Sequence, residues 1–152
     1  MRVEVNVSGD NDIKNTVTSY VYRELRSLNY VELVSNKPEW EINIIAMVAQ
    51  NISGEKRGVI LSTVITHHVE NLILSNMLKP EYKDDDMSDM LLDAGYTDHF
   101  LYTGATDDLQ KLCTDIVATF DTNVEDYRKN LRKMIESTTW FKDAVKRLQR
   151  AK

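Results

Sequence analysis

Residues 40–69 read WEINIIAMVAQNISGEKRGVILSTVITHHV, and this stretch decides the fold. Two apolar-rich runs flank a polar link, Asn51 to Arg57, that carries Gly54. The pattern predicts a long β-hairpin over Trp40–Gln50 and Gly58–Val69. In the first arm Trp40, Ile42, Ile44, Ala46 and Val48 share a face, and Glu41, Asn43, Ile45, Met47 and Ala49 share the other. In the second, Val59, Leu61, Thr63, Ile65 and His67 alternate with Ile60, Ser62, Val64, Thr66 and His68. Each arm has one strongly apolar face and one mixed face. A two-layer fold with helices on a single face of the sheet accounts for that difference.

Toward the N-terminus, Val3, Val5 and Val7 alternate with Glu4 and Asn6, so Arg2–Val7 predicts a half-buried strand. The turn Ser8 to Asp12 offers several N-caps. A helix over Asp12–Leu28 follows, with Ile13, Val17, Tyr20, Val21, Leu25 and Leu28 spaced by 3 and 4. Asn29 is a suitable stop. Val31–Val34 predicts a short strand, and Pro38 then breaks the chain, because it cannot sit in a central ladder.

Toward the C-terminus, Met87, Met90, Leu91 and Ala94 have helical spacing up to Gly95, and Tyr96–Tyr102 predicts a last short strand. Leu109, Leu112, Cys113, Ile116, Val117 and Phe120 form one helical stripe behind Asp107 and Asp108, which suit the macrodipole of a first turn. Thr122 and Glu125 match a capping box, so a further helix is expected to start there. Its apolar stripe runs through Val124, Tyr127, Leu131, Met134, Ile135, Phe141, Val145 and Leu148, with a weak spot at Ser137-Thr138-Thr139.

The 152 residues suit one domain with an appendage. Net charge is −5, which argues against nucleic acid as the default partner. The charge is divided unevenly: up to Thr122 there are 10 Lys and Arg against 20 Asp and Glu, and from Asn123 onward 9 against 4. A basic helical tail thus follows an acidic body. No apolar run approaches the ~20 residues that span a bilayer. A strand starts right behind Met1 with no basic-then-apolar leader, which fits the cytoplasm, or a bacterial envelope if a leader peptide has been removed. The single Cys113 allows no internal disulfide and falls inside an apolar stripe, as a core residue does.

Chemistry-bearing residues are few. His67 and His68 are adjacent on a strand and point to opposite faces, so they cannot chelate one metal together. Zinc would need further ligands, and His99 and Cys113 are the remaining soft candidates. The cluster Asp84, Asp85, Asp86, Asp89 and Asp93 offers hard oxygen ligands but lacks the Gly and closing Glu of an EF-hand, so a solvated acidic face is the expectation. No Gly-rich phosphate loop, GxSxG elbow, CxxC pair or HExxH helix is present. In the tail, Trp140 and Phe141 stand beside Lys142, Lys146, Arg147 and Arg150. An aromatic pair next to such charge favours an interaction helix over a nucleic-acid or membrane-surface contact.

The run VEVNVSG, then YVYRELRSLNYVELVSNKPEWEINIIAMV, resembles the small α/β domains at the amino terminus of TolB and in CsgG-like envelope proteins. The likeness is one of element order over about half the chain. It implies a non-enzymatic domain that binds or assembles in a bacterial envelope.

These readings predict an α+β two-layer sandwich. A mixed or antiparallel sheet of four or five strands runs in the order β-α-β-β-β-α. Helices over Asp12–Leu28 and Asp107–Phe120 lie on one face. Residues 1–121 form the domain and residues 122–152 an amphipathic helical arm. The expected function is a non-catalytic binding or assembly module that works by protein–protein association, including self-association. No cofactor, metal site or catalytic residue is assigned. The alternative is a small hydrolase or metal-dependent enzyme using His67, His68, His99 or the Asp84–Asp93 cluster.

Overall fold

A computed structural model describes residues 1–68 and 97–137. The acidic cluster Asp84–Asp93, the helix expected before Gly95, and Trp140 to Arg150 lie outside these residues. The chain divides into two compact units, Met1–Val117 and Ala118–Lys152.

The elements are β1 (Arg2–Gly9), α1 (Asn11–Ser27), β2 (Glu32–Leu33), β3 (Trp40–Gln50), β4 (Lys56–His67), β5 (Thr97–Gly104), a 3-10 turn (Thr106–Asp108) and α2 (Leu109–Ser137). The five strands form one sheet in the order β2-β1-β3-β4-β5. β1 runs parallel to β2 and β3, while β3–β4 and β4–β5 are antiparallel. The fold is therefore α+β with a mixed sheet, in the expected element order except that the expected last short strand pairs as a fifth strand, β5, before the final helix.

The hairpin is long and closely wound. Its strands pair from Trp40–His67 to Gln50–Lys56, with one irregularity at Ala49–Gln50. Asn51 builds the turn: its N–H donates to Glu55 O at 3.0 Å, and its Oδ1 accepts from Ser53 Oγ and Glu55 N, each at 2.8 Å. Gly54 takes φ of 83°, a left-handed conformation that glycine adopts without a Cβ penalty.

Burial follows the alternation. Trp40, Ile42, Ile44 and Ala46 of β3 and Val59, Leu61, Thr63 and Ile65 of β4 are buried. α1 adds Ile13, Val17, Val21 and Leu25, and the first two turns of α2 add Leu109, Leu112, Cys113 and Ile116. Gly104, the register partner of Val59, confirms the face: a Cβ on it would lie 3.2 Å from Leu112 Cδ1. α1 and the first two turns of α2 thus lie on the side that carries Val59, and among the described residues no helix covers the opposite side of the sheet.

The junction of β1 and α1 is fixed by β3. Gly9 has φ of 108°. Asp10 N donates to Ala46 O at 2.8 Å, and the Asp10 carboxylate accepts from Val48 N at 2.7 Å. Asp10 occupies the N-cap position of α1, yet its side chain makes no cap bond. It prolongs the ladder to β3 instead.

Two local expectations change. β2 spans only Glu32–Leu33, because Val31 N is drawn into a turn by Leu28 O at 3.0 Å, and Lys37 at φ 49° leads into Pro38. The helix break at Thr122 does not occur. α2 is continuous from Leu109 to Ser137, and Thr122 Oγ1 donates to Ala118 O at 2.9 Å, the i−4 bond of a residue inside a helix. The apolar spacing also carries through, with Phe120 and Val124 both buried.

Candidate functional site

Register places the side chains of the open face in rows. One row runs Ser8, Ile45, Ser62, Leu101 across β1, β3, β4 and β5. The next toward the loop end is Met47, Ile60, Thr103. The rows on the other side are Asn6, Asn43, Val64, His99, then Glu4, Glu41, Thr66. The face is therefore apolar at one end and polar to acidic at the other.

The apolar end is exposed. Ile45 is 48% accessible, Met47 38% and Leu101 63%. Three large apolar side chains in adjoining rows form a patch, and scattered single residues would not. The polar end satisfies itself locally. Asn6 Nδ2 donates to Glu41 Oε1 at 2.9 Å, and Glu41 Oε2 lies 3.1 Å from His68 Nε2. Ser62 Oγ and His99 Nε2 are 2.9 Å apart, joining β4 to β5 on this face.

The three histidines do not converge. His67 lies on the covered side, its ring centroid 4.5 Å from that of Trp40. Burial pushes its pKa below the ordinary 6.5, opposed by the nearby Glu39 carboxylate and assisted by the charge of His68. His68 meets Glu41, and His99 meets Ser62. Among the described residues no group of three or more His, Cys, Asp or Glu could hold a metal. Cys113 is fully buried, and burial, with the Glu24 carboxylate adding, pushes its thiol up to about 12. It is a core residue, as its place in the apolar stripe indicated.

Two features escaped the sequence reading. One is the Ser62–His99 pair, which exists only through the β4–β5 register. The other is a groove of about 430 Å³ along β1, lined by Val5, Val7, Ser8, Lys14, Asn15 and Thr18 among others. A second groove, at the β2 end, holds Arg2 and Arg26. Both arginines are engaged there, Arg2 with the Asn36 carbonyl and Arg26 over the Tyr22 ring at 5.8 Å.

No protein-family model and no curated protein sequence matches the chain. Among solved structures it is similar to a point variant of the PelC dodecamer from Paraburkholderia phytofirmans, at 10% identity and TM-score 0.41, covering 76% of this chain and 82% of that one. It is similar to a minor lipoprotein from Acinetobacter baumannii at 11% identity and TM-score 0.35, covering 84% and 94%. It is also similar to rare lipoprotein B from Shewanella oneidensis at 12% identity and TM-score 0.32, covering 85% and 98%. Two of the three are lipoproteins by name, and the likeness is a loose one. At such TM-scores it carries no argument about this chain.

Proposed function

We propose that this chain is a non-catalytic assembly module that associates with copies of itself through the open face of its sheet. The observation that carries this reading is the exposed patch of Ile45, Met47 and Leu101 on a face that no described helix covers. Covering the three residues would contribute on the order of 3 kcal/mol. Association costs at least about 4 kcal/mol in lost freedom, so the patch needs a second contact. The basic tail is the natural source. Trp140, Phe141, Lys142, Lys146, Arg147 and Arg150 bring aromatic surface and positive charge. The body they would meet in a second copy carries 20 acidic against 10 basic residues up to Thr122.

Deleting residues 137–152 tests the second contact by sedimentation. Association that weakens on deletion supports it, and association of undiminished strength removes the tail from the interface.

The 2.9 Å Ser62–His99 pair is within nucleophile–base reach and favours the hydrolase alternative. An activated serine there would react with a fluorophosphonate, and Ser62→Ala would abolish the labelling. On the assembly reading the chain stays unlabelled.

A further inference from the structure

Among the described residues, β1 has a free edge along its C-terminal half. β2 pairs only with Arg2 and Val3. Glu32 N donates to Met1 O, and Val34 N to Val3 O, each at 2.9 Å, so these odd-numbered residues face β2. The even-numbered ones face β3: Arg2 O accepts from Glu39 N, and Asp10 N donates to Ala46 O. Along an extended strand the N–H and C=O of one residue point the same way, and the direction alternates. Val5 and Val7 therefore turn both backbone groups outward, beyond the end of β2. Among the described residues no strand pairs with them.

This edge lacks the usual protections. Val5-Asn6-Val7-Ser8 contains no proline and no charged residue, and β1 pairs with β3 without a register shift. Such an edge is a template for one more strand. The groove of about 430 Å³ runs beside it, and α1 forms one wall through Lys14, Asn15 and Thr18. Lys14 alone is charged among the lining residues, and its ammonium has no carboxylate partner among the described residues. Pairing of two β1 edges would set one Lys14 groove against the other. An incoming segment that carries a carboxylate is better matched.

We infer that the Val5–Val7 edge takes an extended segment of a partner protein by strand addition, with an acidic residue of that segment set against Lys14. The backbone groups of Val5 and Val7 give the binding, and the Lys14 charge selects its sign. The groove shares Ile45 with the open-face patch, but Met47 and Leu101 lie outside it, so the responses of those two residues tell the two readings apart.

The test titrates the full-length chain, 15N-labelled, with the blocked peptide Thr-Val-Glu-Val-Thr-Val and with its Glu→Lys counterpart. The amides of Val5 and Val7 shift saturably and exchange more slowly, while those of Met47 and Leu101 stay in place. The acidic peptide binds about fivefold more tightly than the lysine peptide, as expected for one half-exposed ion pair. Lys14→Glu reverses that preference. Val7→Pro removes an outward N–H that the β1–β3 ladder does not use, so it abolishes binding while the other resonances persist. If this variant does not fold, the Lys14→Glu reversal still decides. Absence of shifts at Val5 and Val7 up to about 5 mM peptide overturns the proposal. So does equal binding of the two peptides. Shifts at Val5 and Val7 that follow protein concentration without peptide would make the occupant a second copy, and would overturn it too.

Discussion

Gly9 lies so close to the backbone of Ala46 that a Cβ on it would be 2.0 Å from the Ala46 carbonyl oxygen. Its φ of 108° is also one that other residues rarely adopt. The obstacle is main chain of the central hairpin and cannot swing away. Gly9→Ala therefore costs about 3 kcal/mol or more, from strain and displaced backbone together. Urea denaturation measures this. A loss under about 1 kcal/mol would mean that β1 approaches β3 less closely than described.

Thr63 is fully buried on the covered side, and its Oγ1 has no hydrogen-bond partner among the described residues. A lone buried hydroxyl is unfavourable, and valine has nearly the same shape. Thr63→Val is expected to be neutral or to stabilise by about 1 kcal/mol. Destabilisation by more than about 1 kcal/mol in the same denaturation assay would show that the hydroxyl has a partner.

Cys113 is buried, with its thiol pushed up to about 12. Thiolate is the reactive form, so a disulfide reagent at neutral pH should label the native chain only through unfolding. One thiol per chain then appears in denaturant. Rapid labelling of the native chain would contradict the burial of this helix face.

His67 has a folded-state pKa below its ordinary 6.5, because burial beside Trp40 disfavours the charged ring. Below 6.5 the unfolded chain takes up this proton before the folded chain does. Stability from this group is thus fully present at higher pH and declines as pH falls from about 6.5 toward the folded value. Melting temperature followed from pH 7 downward should show the decline, and His67→Gln should flatten it. An identical slope in both chains would assign the acid sensitivity to other groups.

The hairpin and its two faces were legible because both arms alternate without interruption and Asn51 to Gly54 supplies turn chemistry between them. The half-buried β1 and the α1 stripe were legible for the same reason. Thr122 and Glu125 matched a start signal that the structure does not use, because the Thr122 hydroxyl turns back to Ala118 and the apolar spacing through Phe120 and Val124 never breaks. β5 was faint, since Leu101 sits on the open face and blurs the alternation with Phe100 and Tyr102. The Ser62–His99 pair and the free edge at Val5 and Val7 left no mark in the sequence. Both depend on which strand lies beside which, and only the assembled sheet fixes that.

Self-association would rest on the open face with Ile45, Met47 and Leu101, and the molar mass of the full chain by light scattering over a dilution series tests it most directly. The monomer mass is 17.6 kDa. A self-associating chain shows a mass above this value at high concentration, falling on dilution, while a folded Ile45→Glu/Leu101→Glu variant stays at 17.6 kDa throughout. A wild-type chain that stays at 17.6 kDa at every concentration, or a variant that associates as well as the wild type, would contradict self-association through this face.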